Sequence, residues 1–282
     1  MTNPIYPCLW FDDQAQAAAA FYCTIFPNSK IVSENSIVTI WELSEQKFMG
    51  LNGGPMFTPN PSVSFFVTCE TNEEVDAIWN KLNEDAKIMM ALDSYDWSDY
   101  YGFIQDKFGI SWQIFKGKYS DVNQKIVPSF LFTDANFGKA NAAVHFYTSV
   151  FSNSKTEGIL FYTESEMKEK NIVKHSQFVL DGNVFMAMDG AGNHNFSFNE
   201  ALSFVIECET QNEIDYYWNA FTSDGGQESN CGWCKDKFGI SWQVVPKIVG
   251  KLMADPEKGQ KVQAAFMQMK KFDIETLLKA AH

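Results

Sequence analysis

The sequence has little that would suit a membrane, a secretion route or a nucleic acid. No run approaches the roughly 18 apolar residues that a membrane-spanning helix needs. The opening MTNPIYPCLWFDDQ lacks the basic and apolar regions of a signal peptide. The net charge is −13 and the pI is about 4.7, so the phosphates of a nucleic acid would be repelled. We therefore predict a cytoplasmic protein that binds neither nucleic acid nor membrane.

Cysteine and histidine are also scarce. The six cysteines lie mostly in apolar segments, as small buried side chains do. Only Cys231 and Cys234 have the spacing of a redox pair, and the matching place in the first half, Tyr101-Gly-Phe, has no such pair. This favours a reduced pair in a turn. The four histidines lack the paired spacings of a metal site, but His175, in VKHSQFVL, is a candidate for proton transfer.

Signatures of common enzyme classes are missing. No GxSxG, GxxxxGK[ST] or HExxH motif occurs. The glycines at 53–54 and 190–192 follow strand-like segments, but no helix follows them at once, as it would in a turn that binds S-adenosylmethionine. The acidic aromatic segment LDSYDWSDYYGF, with Asp93, Asp96 and Asp99, is interpreted either as a solvated loop or as a rim that selects a ligand.

Internal repetition is what the sequence has in abundance. The octapeptide DKFGISWQ occupies residues 106–113 and returns at 236–243, which is 130 positions later (236 − 106). Further upstream, SFFVTCETNEEVDAIW at 64–79 returns as SFVIECETQNEIDYYW at 203–218. Each half of the chain therefore repeats one structural solution.

Within each half the elements follow the order strand, helix, strands, and then the same order again. Ile5–Phe11 is predicted to be a buried strand, followed by a helix that Asp12 caps. Val63–Cys69 is predicted to be another strand, followed by a helix that opens on the capping box Thr71-x-x-Glu74. The octapeptide closes the half with a turn and a last strand. Near the end of the chain, Asp273 is predicted to cap a final helix.

The segments PCLWFD…AFYCTIFPNSK and DKFGISWQ, which open and close a half, resemble the PhnB-like branch of the glyoxalase/bleomycin-resistance/dioxygenase (vicinal oxygen chelate) superfamily. More narrowly, they resemble its 3-demethylubiquinone-9 3-methyltransferase domains. The resemblance covers almost the whole chain. It implies an α+β fold of four βαβββ modules, in which two modules face each other around a cup. The implied tandem glyoxalase-like domains are residues 1–122 and 123–246, with a C-terminal helical tail at 247–282.

The resemblance also implies where a metal would bind. In metal-dependent relatives the last strand carries a glutamate ligand, and Gln113 and Gln243 stand in its place. These relatives add a histidine near the start of the first and fifth strands, and none of the four matching positions holds a good ligand for a divalent transition metal. These positions are Ile5, Ser62, Val127 and Ala201. A metal is therefore disfavoured, and no cofactor is predicted. Because strand residues alternate between faces, we expect Gln113 to face the cup and Trp112 to pack beneath the helices.

Several hypotheses for the function stay open. The first is a metal-free small-molecule-binding protein, because such cups are mostly apolar with a few polar groups. Its predicted ligand-binding residues are Trp10, Asn52, Gln113 and Gln243, with Asp189 beside them. The second is an enzyme that acts on a small aromatic or oxo-acid substrate. The third is an assembly module that self-associates through its tail.

The enzyme hypothesis depends on two residues of the second half. His175 or Asp189 would transfer a proton, or the substrate would complete a weakly held metal. If both side chains point into one cup, the carboxylate raises the pKa of the imidazole. We would then expect any chemistry in the cup of the second half, because the corresponding turn of the first half has only Asn52. The alternative is drift between the duplicated halves, with neither residue reaching the cavity.

Overall fold

A computed structural model describes residues 5–282 and contains the four βαβββ modules in chain order. The first module comprises β1 (Ile5–Phe11), α1 (Ala15–Ile25), β2 (Lys30–Glu34), β3 (Val38–Leu43) and β4 (Gln46–Asn52). The second comprises β5 (Val63–Cys69), α2 (Asn72–Leu82), β6 (Lys87–Tyr95), β7 (Ser98–Gln105) and β8 (Ser111–Lys116), and the short helix α3 (Tyr119–Val122) follows it.

The second half repeats this order. The third module comprises β9 (Ile126–Phe132), α4 (Ala140–Val150), β10 (Lys155–Phe161), β11 (Val173–Leu180) and β12 (Asn183–Asp189). The fourth comprises β13 (Leu202–Cys208), α5 (Gln211–Thr222), β14 (Gln227–Glu228), β15 (Trp233–Lys235) and β16 (Ser241–Pro246). The tail comprises α6 (Ile248–Met253), α7 (Pro256–Phe266) and α8 (Ile274–Ala280). The predicted modules and helical tail are confirmed.

Residues 7–202 form one compact unit, in which the second and third modules share a sheet. Its eight strands pair in the order β10-β11-β12-β9-β5-β8-β7-β6. At its centre β5 and β9 are antiparallel, with Phe66 opposite Val127. The end of the first half of the sequence therefore builds this sheet together with the start of the second half. In the same unit β1, β4, β3 and β2 pair in that order.

The other compact unit contains Ser203–His282 with Ile5 and Tyr6. Its strands pair in the order β14-β15-β16-β13. The tail packs on this module, because the backbone N–H groups of Cys231 and Gly232 donate to the carbonyls of Met269 and Lys270 at 2.8 and 2.7 Å. Self-association through the tail stays a prediction, as do the domain boundaries. In the described part of the chain, no helix combines the length and the apolar character that crossing a bilayer requires.

The repeated octapeptide forms the same turn and strand in both halves. One oxygen of Asp106 accepts the backbone N–H groups of Phe108 and Ile110 at 2.9 and 3.0 Å. The other accepts the indole N–H of Trp112 at 2.8 Å. Asp236 repeats these three bonds with the corresponding residues at 2.8, 3.1 and 2.8 Å. The sequence recurs because each copy folds around its own aspartate.

Trp112 lies on the helix side of the sheet, as predicted. Its ring contacts Tyr22, Phe26 and Phe65 at centroid distances of 5.3, 5.3 and 5.2 Å, and the side chain is fully buried. Gln113 follows on the opposite face. The alternation read from the sequence is therefore confirmed for the first octapeptide.

The predicted cap of the first helix is wrong, whereas the predicted cap of the last one is confirmed. Helix α1 begins at Ala15, and its first N–H donates to Asn52 Oδ1 at 2.8 Å rather than to Asp12. The acceptor comes from the end of β4, so local sequence could not reveal it. Asp273 does cap α8 by accepting the N–H of Thr276 at 2.7 Å.

Replacing either buried tryptophan should strongly destabilise the protein. We expect Trp112→Ala and Trp242→Ala each to lower the free energy of unfolding by about 3–5 kcal/mol, because each leaves a large cavity. Urea titration followed by circular dichroism measures the change. Trp97→Ala is the control, since Trp97 is 57% exposed, and it should cost less than about 1 kcal/mol. Equal losses in all three variants would contradict the assignment.

Candidate functional site

The candidate site is the face of the eight-stranded sheet that points away from the helices. Phe65 and Trp112 pack on the helix side, so alternation places Phe66 and Gln113 on the other face. Phe66 lies on β5 and His175 on β11, with β9 and β12 between them in the sheet. Their ring centroids are nevertheless only 6.0 Å apart. The face therefore curls into a cup.

Apolar and aromatic side chains line this cup. Its floor is a buried cluster that includes Phe66, Tyr101, Val127 and Met186. Six further side chains pack on the cluster and stay partly exposed. They are Met90, Tyr95, Phe103, Phe115, Val179 and Met188. Rings and flexible methionines of this kind suit a compact apolar or aromatic ligand.

A buried polar group is fixed on this apolar floor. The hydroxyl of Tyr101 donates to Gln113 Oε1 at 2.5 Å, and Gln113 Nε2 donates to Ser64 Oγ at 2.8 Å. Burial raises the pKa of Tyr101, so its hydroxyl stays protonated. These bonds orient the amide and leave its second N–H for a ligand. The hydroxyl of Ser111, two residues earlier on the same face, is buried without a partner among the described residues.

His175 is the second polar group of the cup. Its ring is half-buried and forms no hydrogen bond or ion pair within the described residues. Burial lowers the pKa of His175 below its ordinary value of 6.5, so the imidazole is neutral at pH 7. A neutral imidazole carries one N–H donor and one nitrogen acceptor, and neither is used by another described residue here.

Asp189 does not share the cup with His175, so the condition on which the proton-transfer pair depended is not met. It alternates with Met186 and Met188 on β12 and lies on the helix side of the sheet. Its carboxylate accepts the backbone N–H groups of Gly138 and Ala140 at 2.9 and 3.2 Å. Without a carboxylate beside the imidazole, burial lowers the pKa of His175.

Asn52 and Asp189 therefore hold equivalent structural positions. Asn52 accepts the N–H of Ala15 at the start of α1, as Asp189 accepts that of Ala140 at the start of α4. Asp189 also accepts the N–H of Val173 at 2.8 Å. Each residue ties the last strand of its module to the beginning of the module's helix.

The other predicted ligand-binding residues lie elsewhere. Trp10 donates its indole N–H to the carbonyl of Gly54 at 2.7 Å, against the turn after β4. Gln243 belongs to the other compact unit and donates to Ser203 Oγ at 2.9 Å. The position that matches Tyr101 is Cys231 there (231 − 130), so Gln243 has no equivalent phenol. Of the predicted residues, only Gln113 and His175 come together in one cup.

Sequence reasoning did not find Tyr101, Ser64 and Phe66 as members of the site. Each lies in a strand segment of alternating residues. This alternation shows which residues share one face of the strand, but not which other strands or side chains that face contacts. What assigns them to the site is the register of the paired strands, in which Gln113 lies opposite Phe66 and Phe66 lies opposite Val127. That register exists only once the strands are paired.

The family of the chain follows from comparison with known proteins. Residues 3–115 and 124–245 match the family described as 3-demethylubiquinone-9 3-methyltransferase. The chain belongs to this family. No curated protein is significantly similar to it. Among solved structures, a PhnB protein from Bacillus cereus, described under the same methyltransferase name, shares 37% identity over 39% of this chain and 96% of its own, with a TM-score of 0.37.

Longer structural matches show the fold. Glyoxalase I from Zea mays covers 89% of this chain and 95% of its own, with 10% identity and a TM-score of 0.58. A mutant of the same maize enzyme covers 86% of this chain with a TM-score of 0.57. The tandem glyoxalase fold predicted from the sequence is confirmed.

The family name implies S-adenosylmethionine, and the glycine turns do not fit it. The cofactor would need a glycine-rich turn that leads directly into a helix. Gly53 is covered by the ring of Trp10, and a Cβ on Gly190 would come within 3.0 Å of Leu131. A long irregular segment and then a strand follow each turn, β5 after the first and β13 after the second.

The glyoxalase fold implies a metal, and the donors of this cup do not fit one. Gln113 lies in one row across the sheet with Phe66 and Val127, so an amide is the single polar side chain of that row. An amide is a weak ligand for divalent transition metals. Residues 5–282 contain no group of three or more His, Cys, Asp or Glu side chains that could hold a metal ion.

His175 should titrate at an unusually low pH. We expect its C–H resonance in proton NMR to report a pKa below 6.5, because burial penalises the charged ring. Loss of that resonance in His175→Gln identifies it among the four histidines. A pKa at or above 6.5 would contradict the burial argument.

The same shift should link stability to pH. Since the folded pKa lies below the unfolded one, the contribution of His175 is present above pH 6.5. It is lost as the pH falls from there through the folded pKa. The free energy of unfolding of His175→Gln should therefore fall less between pH 7 and pH 5 than that of the wild type.

Removing the two strand-to-helix acceptors should reduce stability. We expect Asp189→Ala to lower the free energy of unfolding by about 2–4 kcal/mol, because it leaves three backbone N–H groups without their acceptor. Asn52→Ala should cost about 1–2 kcal/mol, as the loss of a helix cap does. Urea titration of both variants measures this. A wild-type stability of Asp189→Ala would refute the structural role.

Proposed function

We propose that the chain is a metal-free small-molecule-binding protein whose ligand occupies the cup formed by β5–β12. Membership of the family and the glyoxalase fold support binding of a small molecule in such a cup. The observation that carries the proposal is the Gln113 amide, held by Tyr101 and Ser64 on an apolar floor where relatives carry a metal-ligating glutamate. The amide takes the place of the metal as the polar anchor of the ligand.

The geometry favours a compact, partly aromatic ligand. Rings and methionines around the anchor provide apolar contact, and Gln113 and His175 provide directional hydrogen bonds. A bound ligand would donate to or accept from the imidazole, which has no other partner among the described residues. The ligand therefore bridges two polar groups across an apolar floor.

An enzyme is the second candidate, favoured by one observation. His175 is neutral and forms no hydrogen bond with any residue of the described range 5–282, which is the state in which an imidazole takes up a proton. In this candidate His175 acts alone as general base on a phenol or an activated C–H group of the ligand. Asp189 has no part in it, because its carboxylate is bound to backbone N–H groups on the opposite face.

The test is a thermal-shift screen of the purified chain against a library of small phenols, quinones and oxo-acids, together with a metal assay by mass spectrometry. We expect at least one phenol or quinone to stabilise the wild type. Gln113→Leu should weaken its binding about 5- to 20-fold, the usual effect of losing a buried hydrogen bond. Isothermal titration calorimetry measures the change.

The matched control is Gln243→Leu, the same substitution in the second octapeptide. It should leave the affinity within about twofold, because Gln243 belongs to the other compact unit. Stoichiometric zinc, nickel or iron in the purified protein would refute the metal-free proposal. A larger loss in Gln243→Leu than in Gln113→Leu would refute the choice of cup. Turnover of a bound compound that His175→Gln abolishes would establish the enzyme instead.

A further inference from the structure

Three aromatic rings extend the cup along the β6–β7 hairpin. The ring of Trp97, in the turn, lies 4.4 Å from that of Tyr101 and 5.6 Å from that of Tyr95. Tyr95 and Tyr101 also contact each other at 5.9 Å. Tyr101 is the residue that holds Gln113, so these rings are continuous with the proposed ligand site. Trp97 is 57% exposed, which leaves one aromatic face open beside the anchor.

Three carboxylates lie on this hairpin. Asp93 lies opposite Tyr101 in the strand pairing, and Asp99 is two residues before Tyr101, so both share the face of the cup. Asp96 stands in the turn next to Trp97. Among the described residues none of the three forms an ion pair. The open aromatic face is therefore surrounded by negative charge.

The lysine of each edge strand of this sheet is either distant from Tyr101 or already paired. Lys87 lies opposite Gln105, four residues along β7 from Tyr101, which is about 13 Å at the rise of a strand. At the other edge of the sheet Lys155 is paired with Glu157 at 3.0 Å. The chain has no arginine, since all 22 of its basic residues are lysines. The bidentate group that binds carboxylates and phosphates best is therefore missing.

We infer that the ligand of this cup is an aromatic compound that carries a positively charged amine. The amine lies against the open face of Trp97. This inference rests on the proposed function, because it assigns a charge class to the ligand of the same site. The negative face of an aromatic ring attracts a cation, most strongly for tryptophan. The neighbouring carboxylates add to this attraction and repel an anion. The aromatic body of the ligand then lies over the cup floor, with its polar end at Gln113.

The test uses three phenols that share one ring and differ in the charge of the side chain. They are tyramine, which is cationic, tyrosol, which is neutral, and 4-hydroxyphenylacetate, which is anionic. We expect the affinity to fall in that order, with tyramine about fivefold or more tighter than tyrosol at low salt. Raising the ionic strength should narrow the difference. Calorimetric titration of the full chain measures all three.

Two sets of variants locate the effect. The first variant is Trp97→Ala, and the second is the double change Asp93→Asn with Asp99→Asn. In each, the affinity for tyramine should fall close to that for tyrosol, and the affinity for tyrosol should stay within about twofold of the wild-type value. Their controls are Tyr216→Ala, an exposed ring on α5 outside this sheet, and the double change Asp12→Asn with Asp13→Asn at exposed positions. Both controls should keep the preference for tyramine.

The outcomes separate this inference from the proposed function. If 4-hydroxyphenylacetate binds as well as tyramine, or if the preference survives in Trp97→Ala, the inference is wrong. The proposed function still stands in that case, provided that binding depends on Gln113. If none of the three phenols binds but another library compound binds and depends on Gln113, the inference again fails alone. If no compound of the library stabilises the wild type, both fail.

Discussion

A buried carboxylate in each octapeptide is the contact on which the rest of this structure depends. Asp106 accepts four hydrogen bonds, from the hydroxyl of Tyr22, the indole of Trp112 and two backbone N–H groups. Burial raises the pKa of this carboxyl, and the four donors act against that rise. The turn, the last strand of the second module and helix α1 are thereby joined at one point. Asp236 forms the same turn and the same bond to its tryptophan.

The position of the Gln113 amide follows from this contact. Because the indole of Trp112 is held on the helix side by its aspartate, strand alternation turns Gln113 toward the cup. The amide then meets Ser64, as Gln243 meets Ser203 in the other half, and it also meets Tyr101, which has no counterpart there. In the other octapeptide the same constraint presents Gln243, with a cysteine where the phenol would be. A duplicated structural motif thus carries two different polar surroundings.

The second and third modules share one sheet, so residues from both halves of the sequence contribute to the same candidate site. Gln113 comes from the first half and His175 from the second, and both contact or pair with Phe66 in one cup. Divergence between the halves therefore produces two kinds of polar group within one site. The hairpin of Trp97 adds a third, charged region at its edge. This region is the basis of the inferred preference for a cationic aromatic ligand.

The sequence by itself determined the modules, the turn and strand of each octapeptide, and the face on which Gln113 lies. These features depend on local patterns such as strand alternation, which is the same whatever the strand packs against. Tertiary structure alone decided that Asn52 rather than Asp12 receives the first N–H of α1, and that Asp189 serves the backbone instead of His175. Both outcomes require contacts between residues more than 30 positions apart. Such contacts depend on which strands pair, and local sequence patterns do not specify the pairing.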